Sequence, residues 1–190
     1  MFPVEVFQST LSKWTAILRQ LDIRFHLTGG ITSAAWGEPR MTQDIDIVVD
    51  PAQVKLNVDA LVRSLGESDF LFDEDSVRKA VAAGDLFQLL DRRESLKLDI
   101  YPREMIPGEL DRSESLELFA GEMLPVASRM DAAASKLVWI SKGSHKSRRD
   151  LRAIFRAGAG GERQAIQTWA ETSGFGPLLA EVLAESDEWE

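Results

Sequence analysis

The chain of 190 residues contains no cysteine, two histidines and one tyrosine. Without cysteine there is no disulfide and no thiolate metal site, and two histidines are too few for a histidine-rich metal centre. No apolar run approaches the roughly 20 residues of a bilayer-crossing helix. The opening MFPVEVFQST lacks the basic start and apolar core of a signal peptide, so the expectation is a cytoplasmic protein with no membrane partner. Internal repeats and low-complexity segments are also missing. What is present is ordinary: 44% apolar and 28% charged residues suit one domain, or a small domain with a helical extension.

The charge is unevenly spread. The chain carries a net −9, yet residues 142–156, KGSHKSRRDLRAIFR, hold six basic residues and one acidic, a local +5. Overall acidity argues against indiscriminate nucleic-acid binding, while the basic segment leaves room for a phosphate-bearing ligand. On a helix, Arg149, Arg152 and Arg156 share a face, which would be the contact if that ligand were RNA.

Hydrophobic spacing sets out the elements. Phe7, Leu11, Trp14, Leu18 and Leu21 form a helical stripe over residues 4–21. IRFHLTGG reads as a strand entering a glycine turn, ITSAAWG as a short helix, and DIDIVVD as a second strand. A helix is expected over 52–65, and another over 76–84 with Ser76 as its cap and Gly84 as its stop. Residues 86–102 form a hairpin around DRRE, and 116–127 a smaller one turning at Ala120-Gly121. Helices follow over 128–141, 146–157, 161–172 and 177–186. The expected organisation is an α/β core over 1–126 and a helical subdomain over 127–190.

The chemistry concentrates at GEPRMTQDIDIVVD, residues 37–50. A strand alternates its side chains, so Asp44 and Asp46 share one face while Ile45 and Ile47 enter the core. Pro39 keeps the approach extended, which would add Arg40 and Thr42 to the carboxylate face. SLKLDIYP repeats the alternation, with Lys97, Asp99 and Tyr101 opposite Leu96, Leu98 and Ile100. Pairing of the two strands would bring Asp99 beside Asp44 and Asp46. Three carboxylates repel one another, so the cluster needs either raised pKa values or a cation, and an oxygen-only set selects Mg²⁺ or Mn²⁺. Alternatively Lys97 simply pairs with Asp99. Thr28, Gly29 and Gly30 end a strand and start a helix, where backbone N–H groups can meet a triphosphate.

The order GG, short helix, G-x-x-R-x-T-x-D-I-D resembles the DNA polymerase β-like nucleotidyltransferase superfamily. The R-x-T-x-D-x-D form most resembles its AbiEii/AbiGii-type members, which include toxins of bacterial toxin–antitoxin systems. The resemblance implies an α/β (α+β) nucleotidyltransferase fold: a small mixed sheet flanked by helices, followed by a C-terminal helical bundle. It implies transfer of a nucleoside monophosphate from an NTP to an acceptor (a tRNA end, a small molecule or a protein hydroxyl), with a possible cognate antitoxin as partner. Asp44, Asp46 and Asp99 would hold the metal. Thr28, Gly29, Gly30, Ser33, Arg40 and Thr42 would grip the nucleotide. AASKLVWISKGSHKSRRDLRAI resembles the family's helix pair that adds a phosphate-binding lysine and an aspartate, pointing to Lys136 and Asp150. Read without the resemblance, Lys136 is a solvated helix lysine and Asp150 a partner for a nearby arginine. Trp36, in the helix after the glycines, is expected to narrow the pocket. The alternative function is a nucleotide- or partner-binding module on the same fold without turnover.

Overall fold

A computed structural model describes residues 4–39 and 42–186. Arg40 lies outside the described residues. The chain runs α1 Val4–Gln20, β1 Phe25–Thr28, α2 Gly29–Trp36, β2 Asp44–Val49, α3 Pro51–Leu56, α4 Val58–Gly66, β3 Phe70–Leu71, α5 Glu74–Ala83, β4 Phe87–Asp91 and β5 Leu96–Tyr101. It continues with β6 Glu114–Phe119, β7 Glu122–Val126, α6 Arg129–Ser141, α7 Lys146–Ala157, α8 Gly160–Thr172 and α9 Gly176–Ala184.

The strands form one mixed sheet in the order β3-β4-β5-β2-β1-β7-β6. Its two faces differ because each central strand alternates. Ile45, Ile47 and Val49 of β2 and Leu96, Leu98 and Ile100 of β5 are fully buried on one face. Helix α1 covers that face with Leu11, Trp14 and Leu18, and Trp14 meets Phe70 edge-on at 6.1 Å. Each such side chain contributes roughly 1.5–3 kcal/mol by leaving water. The opposite face carries Asp44, Asp46, Lys97, Asp99 and Tyr101, and the C-terminal helices approach it through α6.

Helix α6 buries Ala132, Ala133 and Leu137, and α7 buries Leu151 and Ile154, in the same apolar cluster as the sheet. Gly37 lets α2 meet α7 closely: a Cβ there would stand 3.0 Å from the Ile154 nitrogen. Trp36 is buried, and its indole N–H donates to the Ala127 carbonyl at 2.8 Å. It therefore tethers α2 to the start of the helical half rather than narrowing the pocket.

Three local expectations change. The helix over 52–65 is two helices, broken at Asn57, whose amide donates to the Gln53 carbonyl at 2.9 Å and stops the first. Side-chain bonding to the local backbone competes with helix propagation in this way. The cap of α5 is Asp73, which accepts from the Ser76 N–H at 2.7 Å, so Ser76 lies inside the first turn. The two-residue β3 and a 3-10 turn at Leu110–Arg112 are additional elements. Both hairpins and the Gly84 stop stand where the spacing puts them.

Candidate active site

The register of β2 with its neighbours fixes the site. Asp46 lies opposite Thr28 of antiparallel β1 and opposite Asp99 of parallel β5. Asp44 lies opposite Lys97. The β2–β5 pairing thus places three carboxylates on one sheet face, and the β1 pairing sets Thr28 beside them.

The glycine turn is pressed onto this face. Gly29 has φ +63°, a left-handed conformation that disfavours a side chain. A Cβ at Gly29 would stand 1.9 Å from Asp46 Oδ2, so residue 29 has no room for one. Thr28 precedes α2 without a side-chain cap bond, leaving first-turn N–H groups uncapped by it.

Two helices complete the wall. Lys136 of α6 and Asp150 of α7 are both buried, with Nζ 3.0 Å from Asp150 Oδ2. The Lys136 ammonium also reaches the Gly29 carbonyl at 3.4 Å. The Ser33 hydroxyl sits 2.9 Å from that carbonyl and 3.0 Å from Asp150 Oδ2, and its single proton serves one of them at a time. Gly29, Ser33, Asp150 and Lys136 thus form a closed polar ring over the turn. In this ring Asp150 pairs with Lys136, which is buried rather than solvated.

The carboxylates are unequally satisfied. Burial, then the charges of Asp44 and Asp99, push the pKa of Asp46 up, and Lys136 and the Tyr101 hydroxyl offset this in part. Tyr101 donates to Asp46 Oδ1 at 3.2 Å. Asp99 accepts from the Gln88 amide at 3.0 Å and from Lys97 at 2.9 Å. Lys97 also stands 3.9 Å from Asp44 Oδ2, and its pKa is raised, first by the bond to Asp99. The Thr42 hydroxyl lies 3.0 Å from Asp44 Oδ1.

The three aspartates do not converge as a ready metal cage. Among the described residues no three acidic or imidazole side chains are so grouped. The reason is charge: the Lys97 ammonium draws Asp99 to itself and leaves Asp46 to Tyr101. The donor set nonetheless fits a hard divalent cation. It is all oxygen, it lies on paired strand positions, and Asp46 is a half-buried carboxylate beside two like charges.

Gly29, Gly30, Asp44, Asp46, Asp99, Lys136 and Asp150 line one cleft, together with residues the sequence reading did not single out as site residues. Tyr101 follows Asp99 by two residues on the same face, a signal present in the period-two pattern. Trp139 follows Lys136 by three, one helical turn along the same side. Ser144 comes from the α6–α7 connection and Lys146 and Ser147 from the first turn of α7, and nothing in their spacing marks them as site residues.

The arginine row of α7 is engaged in ion pairs. Arg148 and Arg152 pair with Glu185, and Arg148 also pairs with Glu181. Arg149 and Arg156 pair with Glu38. The Arg152 side chain is only 10% exposed. Acidic residues from α9, its C-terminal edge and the loop after α2 thus answer the +5 segment.

A mixed sheet bearing paired carboxylates under a glycine turn, closed by a lysine-bearing helix, places the molecule in the nucleotidyltransferase class. Its fold resembles that of the antibiotic-resistance factor ANT(2'')-Ia, with a TM-score of 0.58 and 14% identity over 95% of this chain and 98% of that one. It also resembles an antigenic nucleotidyltransferase-like protein from Paracoccidioides brasiliensis, with a TM-score of 0.53 and 15% identity over 94% and 92% of the two chains. No curated protein matches the sequence. Residues 14–187 match the family described as nucleotidyl transferase AbiEii toxin, type IV toxin–antitoxin system, and the chain belongs to that family.

Proposed function

We propose that this protein transfers a nucleoside monophosphate from an NTP to an acceptor hydroxyl and releases pyrophosphate. One observation carries the reading: Gly29, Gly30, Lys136 and the three aspartates, from elements far apart in sequence, line a single cleft.

The first-turn N–H groups of α2 and the Lys136 ammonium hold the phosphates, with Thr28 and Thr42 beside them and Ser33 bracing the turn from within the ring. Asp150 orients Lys136. Asp44, Asp46 and Asp99 hold Mg²⁺ or Mn²⁺, which when bound neutralises charge on the phosphates. The acceptor oxygen attacks the α-phosphorus, the bond to the bridging oxygen breaks, and pyrophosphate leaves. Asp99 takes the acceptor proton. Catalysis on this plan is mostly positioning and charge neutralisation.

Membership of a toxin family supports a cognate antitoxin as the genetic partner. A tRNA end, a small molecule or a protein side chain can each present the attacking hydroxyl. Because the α7 arginines are ion-paired, RNA contacts would be made elsewhere on the surface.

The test is incubation of purified protein with each α-³²P-labelled NTP, Mg²⁺, and either total RNA, a metabolite extract or a protein lysate. Label should move to one acceptor pool only when metal is present. Full transfer by both Asp44→Asn and Asp46→Asn would refute the assignment.

A further inference from the structure

The two lysines that reach the carboxylates are held differently. Lys136 is locked by the fold: its side chain is 7% exposed and bonds to Asp150 and to the Gly29 carbonyl. The Lys97 side chain is 39% exposed and comes to the carboxylates from the solvent side. Among the described residues its ammonium makes one hydrogen bond, to Asp99 Oδ2 at 2.9 Å, and its second ion-pair partner is Asp44 Oδ2 at 3.9 Å. Both partners belong to the proposed site, so this lysine ties no other part of the fold together.

The strand register explains the position. Asp44 stands opposite Lys97 and Asp46 opposite Asp99, so three carboxylates and one ammonium share a patch of the sheet. On its other side Lys97 faces Leu90 of β4, whose side chain offers no acceptor. The charge of Lys97 is therefore answered only toward Asp99 and Asp44. Both oxygens of Asp99 are in use: Oδ1 accepts from the Gln88 amide at 3.0 Å and Oδ2 from Lys97. Thr42 occupies Asp44 Oδ1, which leaves Oδ2 turned to Lys97. A hard divalent cation would take its ligands from these same carboxylate oxygens.

We propose that Lys97 is a resident counter-ion: its ammonium holds the place beside Asp99 and Asp44, and must leave before a divalent cation can use those oxygens. The inference deepens the proposed function and rests on its metal assignment. An ammonium and a divalent ion repel, so the two do not share Asp99 Oδ2. The Gln88 amide is neutral, and its bond to Oδ1 can stay. Lys97 is the group expelled, because its stem is flexible and its head regains water outside the patch. Lys136 cannot serve in this way, since Asp150 and the Gly29 carbonyl hold it in place. Lys97 thus offsets the repulsion among the carboxylates in the metal-free protein, and the same contact weakens the affinity of the patch for the bare ion.

The experiment is Mn²⁺ binding without nucleotide, read from the electron paramagnetic resonance signal of the free ion, to wild type, Lys97→Met and Lys97→Arg. Lys97→Met keeps an unbranched stem and removes the charge, and it should bind Mn²⁺ more tightly by about tenfold or more. Lys97→Arg keeps the charge and should stay within about twofold of wild type. A second measurement uses wild type alone. The ¹⁵N ammonium resonance of Lys97, protected from exchange with water by the bond to Asp99, should lose that protection when Mg²⁺ saturates the protein. Equal Mn²⁺ affinity in wild type and Lys97→Met, or a Lys97 resonance that Mg²⁺ leaves unchanged, would overturn the inference while leaving the metal assignment standing. If neither wild type nor Lys97→Met binds Mn²⁺, the metal assignment fails and this inference fails with it. Should Lys97→Met fold poorly, the wild-type resonance decides.

Discussion

Asp46 and Asp91 stand on opposite faces of one sheet and meet opposite environments. Asp91 is fully buried at the end of β4, on the face that α1 covers. Burial pushes its pKa up, but Lys13 at 2.8 Å, Thr10 at 2.9 Å and two backbone N–H groups together hold it below the usual carboxylate range. Asp46 has burial and two neighbouring carboxylates raising its pKa, with only Lys136 and Tyr101 in opposition. The first carboxylate is finished by the fold. The second is left wanting positive charge, and a carboxylate whose pKa is raised beside like charges in a cleft points to function more than to architecture.

That contrast can be broken most sharply at Asp46. Asp46→Asn should lower nucleotide transfer on the order of 10³-fold or more. Its thermal midpoint should rise, because an ionised group with a raised folded pKa weakens the native state. The gain should be largest near neutral pH and vanish below about pH 4, the unfolded carboxylate pKa. Calorimetry across that range checks the sign.

Asp91→Asn should do the reverse. Removing one partner of a buried pair costs about 3 kcal/mol, with transfer per folded molecule unchanged. A group whose folded pKa is lowered contributes its stability above about pH 4, so this loss should shrink as acid protonates the wild-type residue. Denaturant titrations at pH 7 and pH 3 would show it. Equal pH profiles for the two variants would erase the distinction between the faces.

Gly29→Ala tests how closely the turn and Asp46 are fitted. The left-handed backbone alone costs about 1–2 kcal/mol. Displacing Asp46 should lower transfer on the order of 100-fold, since misplacement by about 1 Å has that effect. Activity within a factor of two of wild type would show that the close approach is incidental. The smallest effect is expected at Arg156→Ala, whose side chain is half exposed on Glu38. Stability should move by about 0.5 kcal/mol or less, and a salt titration of RNA binding should keep the wild-type slope.

Much of this site is readable in sequence, for a definite reason. Asp44, Asp46, Asp99 and Tyr101 sit on strands that alternate strictly, so their shared face follows from spacing once β2 and β5 are paired. The break at Asn57 is hidden because Val54, Val58, Leu61, Val62 and Leu65 keep one apolar stripe across both helices. The pairing of Lys97 with Asp99 was one of two open readings, and only three-dimensional charge balance selects it. The ring of Ser33, Asp150 and Lys136 joins α2, α6 and α7, and no local pattern announces a contact across 117 positions. The α7 arginines point the other way: composition suggested an unpaired basic face, and glutamates distant in sequence form ion pairs with it while Arg149 and Arg156 stay half exposed.

The Gly29–Lys136 contact spans 107 positions, and the Ser33–Asp150 contact spans more. A growing chain therefore carries its aspartates and glycine turn long before it carries the lysine that closes over them. During synthesis the carboxylate face stands uncovered, and the phosphate grip is missing until α6 and α7 have left the ribosome and packed. For a member of a toxin family, this order of assembly withholds the complete cleft until α7 has been made. A transcript cut short before α7 would yield a product with every strand of the sheet and no closed ring.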